Sequence, residues 1–130
     1  MAYEAVQPLK ISLSAGADLS TKQYYFVKLD TNGDAVVCSG ATDIPVGVLQ
    51  NKPTSGQSAE IVVIGVSKVN TDAGLSIGAL IGTSGDGQAD AKVAGTDTTE
   101  YVVGRMLTAT GAAAQIGTAL INCASPTRAA

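Results

Sequence analysis

The chain has 130 residues, a net charge of −3, no histidine, no tryptophan and five aromatic residues. Without histidine it holds no His-based triad, His zinc site or His pH switch, and scattered basic residues with few aromatics argue against nucleic-acid binding. The length suits one domain able to bury about two-thirds of its surface unaided, and a charged fraction of 15%, low for a globular protein, points to a surface partly hidden against a partner.

Residues 1–9 read as an N-terminal arm, because Pro8 biases its neighbour toward extended backbone. The first residues lack a basic stretch leading into an apolar core, so no cleaved signal and a cytoplasmic synthesis are expected. No apolar run approaches the ~18 residues of a membrane-spanning helix. Lys10–Ser14 alternates polar and apolar residues and predicts a half-buried strand. Tyr24–Leu29 and Ala35–Cys38 are β-type runs flanking Asp30-Thr31-Asn32-Gly33-Asp34, and Asn-Gly between such runs predicts a hairpin, because both residues tolerate positive φ.

Ile44–Gln50 predicts a strand whose start is weakened by Pro45. Ser58–Val69 is the most β-like stretch and predicts one long strand bent near Gly65. Leu75–Gly82 reads as a strand, or as a helical turn and a strand. Thr83–Thr99 reads as a small polar loop, with Gly85-Asp86-Gly87 as a turn. Glu100–Thr108 and Gln115–Cys123 predict the last two strands, and 124–130 a short tail. Val46-Gly47-Val48-Leu49 is echoed by Val103-Gly104-Arg105-Met106-Leu107. Each is followed by a polar loop and an apolar strand, which suits a closed or nearly closed barrel. The expected fold is all-β: a small β-barrel or β-tulip-like single domain over 10–123, with short loops and an extended arm.

Candidate chemistry is thin. A calcium loop starting at Asp30 needs Gly at its sixth position and Glu at its twelfth, where Ala35 and Ala41 stand. The Gly82–Gly87 stretch has no lysine after it to reach a phosphate. No Ser-x-x-Lys or Gly-x-Ser-x-Gly occurs. Cys38 and Cys123 match no metal or redox spacing and read as small, reduced, buried side chains, with a disulfide between them as the alternative. Tyr24 and Phe26 are expected on one strand face and Tyr25 on the other. No enzyme activity, cofactor or metal is expected, and no membrane or nucleic-acid partner.

Several elements in order carry a resemblance. They are the arm, the early hairpin, Ile44-Pro45-Val46-Gly47-Val48, the loop ending Thr54-Ser55-Gly56, the strand Ile61–Val66, Leu75–Ile81 and the closing Val103–Ala109 with its last strand. From about residue 10 to 122 the chain resembles the capsid decoration, or cement, proteins of tailed bacteriophages. That resemblance implies a non-enzymatic β-rich protein on the outer surface of the virion. Its implied partners are the major capsid protein and itself, as a homotrimer at three-fold or quasi-three-fold positions of the expanded head. It also implies that the arm contacts the capsid, through Ala2, Tyr3, Glu4, Val6, Gln7, Pro8 and Leu9. A β-rich spike or fibre base is the alternative virion role. A small surface- or carbohydrate-binding module is a third reading, poorly served by five aromatics and no export signal.

Overall fold

A computed structural model describes residues 7–130. Every regular element among them is a strand: β1 (Leu9–Ser14), β2 (Phe26–Leu29), β3 (Ala35–Val37), β4 (Gly47–Leu49), β5 (Ser58–Asn70), β6 (Leu80–Thr83), β7 (Ala89–Ala91), β8 (Tyr101–Val102), β9 (Gly104–Met106), β10 (Ile116–Asn122) and β11 (Thr127–Arg128). Nine form one curled, half-barrel sheet in the order β3-β2-β4-β5-β10-β9-β6-β7, with β1 also paired to β5. β8 and β11 form a separate ribbon. The all-β, barrel-like expectation holds.

The long strand β5 organises the sheet. Its first half pairs β1 and β4, and its second half pairs β10. The change falls at Ile64 and Gly65, where Gly65 adopts φ +136°. The change of partners thus falls at the glycine where the sequence predicts a bend.

The predicted hairpin is β2–β3, with Val27 opposite Val37 and Leu29 opposite Ala35. In its turn Gly33 has φ +79°, whereas Asn32 stays out of the positive region. Asp30 is the reason: its Oδ1 accepts hydrogen bonds from the N–H of Asn32 (2.8 Å) and of Asp34 (2.9 Å). Those bonds favour a three-residue loop over a two-residue one.

Other expectations need correction. The Ile44–Gln50 strand shortens to β4, because the segment through Pro45 makes no ladder. Of the two readings of Leu75–Gly82, a turn followed by a strand is the nearer: Ala79 N–H donates to Ser76 O and β6 begins at Leu80. The polar loop expected over Thr83–Thr99 contains β7, which pairs β6 through Ile81–Ala91 and Thr83–Ala89. The single strand expected over Glu100–Thr108 divides into β8 and β9, which belong to different sheets. Residues 124–130 carry β11, which pairs β8. Tyr24 has φ +68° and precedes β2. Its N–H donates to Leu49 O at 2.7 Å and its carbonyl accepts from Asn70 N–H at 2.9 Å, so tertiary bonds hold it out of the strand.

The internal echo is a structural repeat. The turn bond Asp30 N–H to Asp34 O (2.9 Å) recurs as Ser84 N–H to Gln88 O (2.7 Å). Val46 N–H to Val27 O (2.8 Å) recurs as Val103 N–H to Ile81 O (2.9 Å), and Gln50 N–H to Glu60 O (2.8 Å) as Leu107 N–H to Thr118 O (2.8 Å). The isolated parallel bridge Ala15–Ala35 recurs as Thr71–Ala89. Thus β1-β2-β3-β4 with the first half of β5 corresponds to the second half of β5 with β6-β7-β9-β10. Gly47 and Gly104 are counterparts for one reason: a Cβ on either would run into a carbonyl of the adjoining strand, Val62 O or Leu120 O.

Each repeat has its own core. The first buries Leu19, Val27, Ala35, Leu49 and Ile61 together. Their counterparts Leu75, Ile81, Ala89, Met106 and Ala119 are buried in a larger cluster that also takes in Phe26 and Val48. The larger cluster therefore cements the two repeats to each other.

Candidate interaction surfaces

Among the described residues, no group of three Cys, Asp or Glu side chains is placed to hold a metal. The two cysteines, Cys38 and Cys123, are free and buried. Burial pushes both thiols up to about 12, with a neighbouring Thr83 hydrogen bond opposing the shift at Cys38. Neither is a thiolate at neutral pH, so neither is poised as a nucleophile.

Two lysines among the described residues are held in ion pairs. Lys92 is wholly buried, with its Nζ 2.6 Å from Glu100 Oε1 and 3.9 Å from Asp90 Oδ2. Burial raises the Asp90 carboxyl above its ordinary value, against the pull of Lys92. Lys28 Nζ meets Asp43 Oδ2 at 2.8 Å, and that oxygen also accepts the N–H of Ser39 and Gly40. Partial burial pushes the Asp43 carboxyl up, but these bonds outweigh it and hold the carboxyl below its ordinary value. Such pairs fix loops to strands and present no open acid–base couple.

What the molecule does present is apolar surface. Leu80, Arg105, Leu120 and Val66 lie directly opposite one another across β6, β9, β10 and β5. Leu80, Leu120 and Val66 are 37%, 49% and 52% exposed. A shallow groove of about 260 Å³ adjoins the row, lined in part by Val102, Arg105, Leu120 and Thr127. Isolated exposed apolar residues need no explanation, whereas three aligned with Arg105 across four strands make this row the candidate contact surface. The sequence hid this row, because its members lie far apart in the chain and only strand register aligns them.

The expected arm residues divide at the edge of the described chain. Ala2, Tyr3, Glu4 and Val6 lie outside the described residues. Gln7 is exposed, Pro8 lies against Gly65, and Leu9 opens β1 opposite Ile64. Leu9 and Ile64 are both exposed, and Ile64 is two residues from Val66 on β5. The chain therefore enters its first strand beside the exposed row. The aromatic residues are spread out: Phe26 is core, Tyr24 packs partly buried on the same cluster, and Tyr25 lies under Lys22 at 4.9 Å. Those among the described residues make no stacking platform.

No family model matches the chain, and no curated protein matches it in sequence. Its fold is similar to that of the head fibre gp8.5 N base of bacteriophage phi29. The TM-score is 0.63 at 14% identity, covering 90% of this chain and 96% of that one.

Proposed function

We propose that this chain is a structural, non-enzymatic protein of a tailed-phage head. It binds the outside of the expanded shell as a decoration protein and bridges major capsid subunits, with copies grouped as trimers at three-fold or quasi-three-fold positions. The observation that carries this reading is the likeness in fold to a phage head-fibre base. It is supported by the exposed row of Leu80, Leu120 and Val66 beside Arg105. A fibre base is a second reading, favoured by what that neighbour is.

The mechanism is linkage. A protein that binds the expanded lattice better than the unexpanded one stabilises the expanded form by that difference in binding free energy. Several weak contacts per oligomer add through effective concentration. In this reading Gln7, Pro8 and Leu9, with the residues before them, reach the capsid from the mouth of β1, and an extended arm adds affinity by strand pairing.

The test mixes the purified protein with undecorated, expanded heads, pellets them and counts bound copies. Saturation at a multiple set by the lattice three-folds supports decoration. Saturation at a few copies per head supports a fibre base. No binding to the correct shell overturns both. Removing Ala2–Leu9 is expected to abolish binding and leave a folded domain; full occupancy by that variant would overturn the arm's role.

A further inference from the structure

The second repeat leaves open a face that the first repeat has covered. In the first repeat Phe26, Val48 and Val62 form a cross-strand row, and all three are buried. Phe26 and Val48 pack in one cluster with Ile81, Ala89 and Met106 of the second repeat. The β6–β7 turn sits at this contact. Phe26 N–H donates to Gly87 O at 2.7 Å, and a Cβ on Gly87 would stand 2.6 Å from Val37 Cγ2.

The counterparts of that row are Leu80, Arg105 and Leu120, which are exposed. The counterpart of the seated turn is the β2–β3 tip, which is also exposed. Leu29 is 52% exposed where its counterpart Thr83 is 1%, and the Cβ position of Gly33 has no neighbour within 4 Å. The charges differ in the same sense. The tip seated inside the chain carries one acid, the exposed Asp86 between Ser84 and Gln88, and the row it meets is uncharged at Val48. The open surfaces carry complementary charges, with Asp30 and Asp34 at the tip and Arg105 in the row.

We infer that a second copy of this chain occupies the open row: the β2–β3 tip of one copy seats on Leu80, Arg105 and Leu120 of the next, as the β6–β7 tip seats on Phe26 and Val48 within the chain. The contact uses two different surfaces, so it is heterologous. It joins copies head to tail and closes into a ring where the rotation per copy divides a full turn. For its role on a shell it rests on the proposed function; for its existence it does not.

Sedimentation velocity on the full chain, without heads, tests it. The wild-type chain is expected to self-associate. Leu120→Glu in the row and Leu29→Glu at the tip, both at exposed positions, are each expected to weaken association about tenfold or more with unchanged thermal melting. Mixing the two variants is expected to give a one-to-one pair and nothing larger, because each partner keeps one working surface. Arg105→Glu and Asp34→Lys should each weaken association and together in one chain restore it. A wild-type chain that stays monomeric at about millimolar concentration overturns the inference. So does association indifferent to Leu29→Glu, or association that appears only once residues 1–6 are removed, which would assign the row to the chain's own N-terminus. Head binding is read separately by pelleting, so failure of either proposal is distinguishable from failure of the other.

Discussion

Lys92 Nζ stands 2.6 Å from Glu100 Oε1, and the lysine side chain has no exposed surface. In the first repeat the counterpart of Lys92 is Cys38: Lys92 N–H donates to Leu80 O as Cys38 N–H donates to Phe26 O. The counterpart of Glu100 is Asp43, which pairs with Lys28 instead. The two repeats thus keep the acid and draw its cation from different strands. Removing one member of a buried pair strands the other charge, at a cost of about 3–5 kcal/mol. Glu100→Gln is therefore expected to destabilise strongly, and Lys92→Met with Glu100→Gln to recover most of the loss. Urea unfolding reads both; a double variant as weak as the single one would show that the pair's worth lies in its charge.

The two hairpin turns offer a matched comparison. Gly33 and Gly87 have φ +79° and +84°, a conformation costing an L side chain about 1–2 kcal/mol. Only Gly87 is also crowded, by Val37 Cγ2 and the carbonyls of Cys38 and Phe26. Gly33→Ala is expected to cost about 1 kcal/mol, and Gly87→Ala at least twice that, with loosened packing between the repeats. Equal losses in urea midpoint would contradict the seated turn.

Ala114 has φ +62°, and its N–H donates to Thr71 O as that of Gly56 donates to Ala15 O. Gly56 has φ +82°. Ala114→Gly relieves left-handed strain but adds chain entropy to the unfolded state, so a net gain of roughly 0.5–1 kcal/mol is expected. A lower melting temperature for this variant would refute the strain.

The two thiols are expected to be inert in the folded protein. With both pushed up to about 12 by burial, the thiolate fraction at neutral pH is of order 10⁻⁵. Labelling by a disulfide reagent should follow global opening and accelerate in denaturant. Fast labelling of the native chain at neutral pH would place one of them at the surface.

Asp43 sets an acid limit. A carboxyl depressed on folding contributes stability above its unfolded pKa and loses it as pH falls through the folded pKa. The ordinary value is 3.8 and the folded value is lower. Asp43→Asn should therefore destabilise at neutral pH, and its difference from wild type should vanish as pH falls below that range. Asp90 acts in the opposite sense: its folded pKa is raised, so its contribution is full at low pH and lost as pH rises. A constant difference for Asp43→Asn down to about pH 2 would remove the Lys28 pairing as its cause.

Parts of the fold were legible because the signals are local. Asn32-Gly33 between β-type runs marks a hairpin, and the alternation of Lys10–Ser14 marks a half-buried strand. Gly85-Asp86-Gly87 marks the next turn, but strand β7 after it is not legible because Ala89-Asp90-Ala91 has no β-branched residue; its strand state comes from pairing with Ile81 and Thr83. The repeat showed through only where both copies face the same constraint, as at Val46-Gly47 and Val103-Gly104. Elsewhere the core asks only for apolar volume, so Leu49 and Met106 serve alike.

The sequence by itself determined an all-β chain, the position of its first turn, the long strand around Gly65 and the absence of any His-based chemistry. Those follow from backbone preferences that act within a few residues and from side chains the chain lacks. Tertiary structure alone decided that Tyr24 turns left-handed, that β8 leaves the main sheet, and that Phe26 and Val48 are covered while Leu80 and Arg105 stay open. Burial is a relation between segments distant in the chain, and two equivalent rows of residues acquire opposite fates only when one repeat packs on the other.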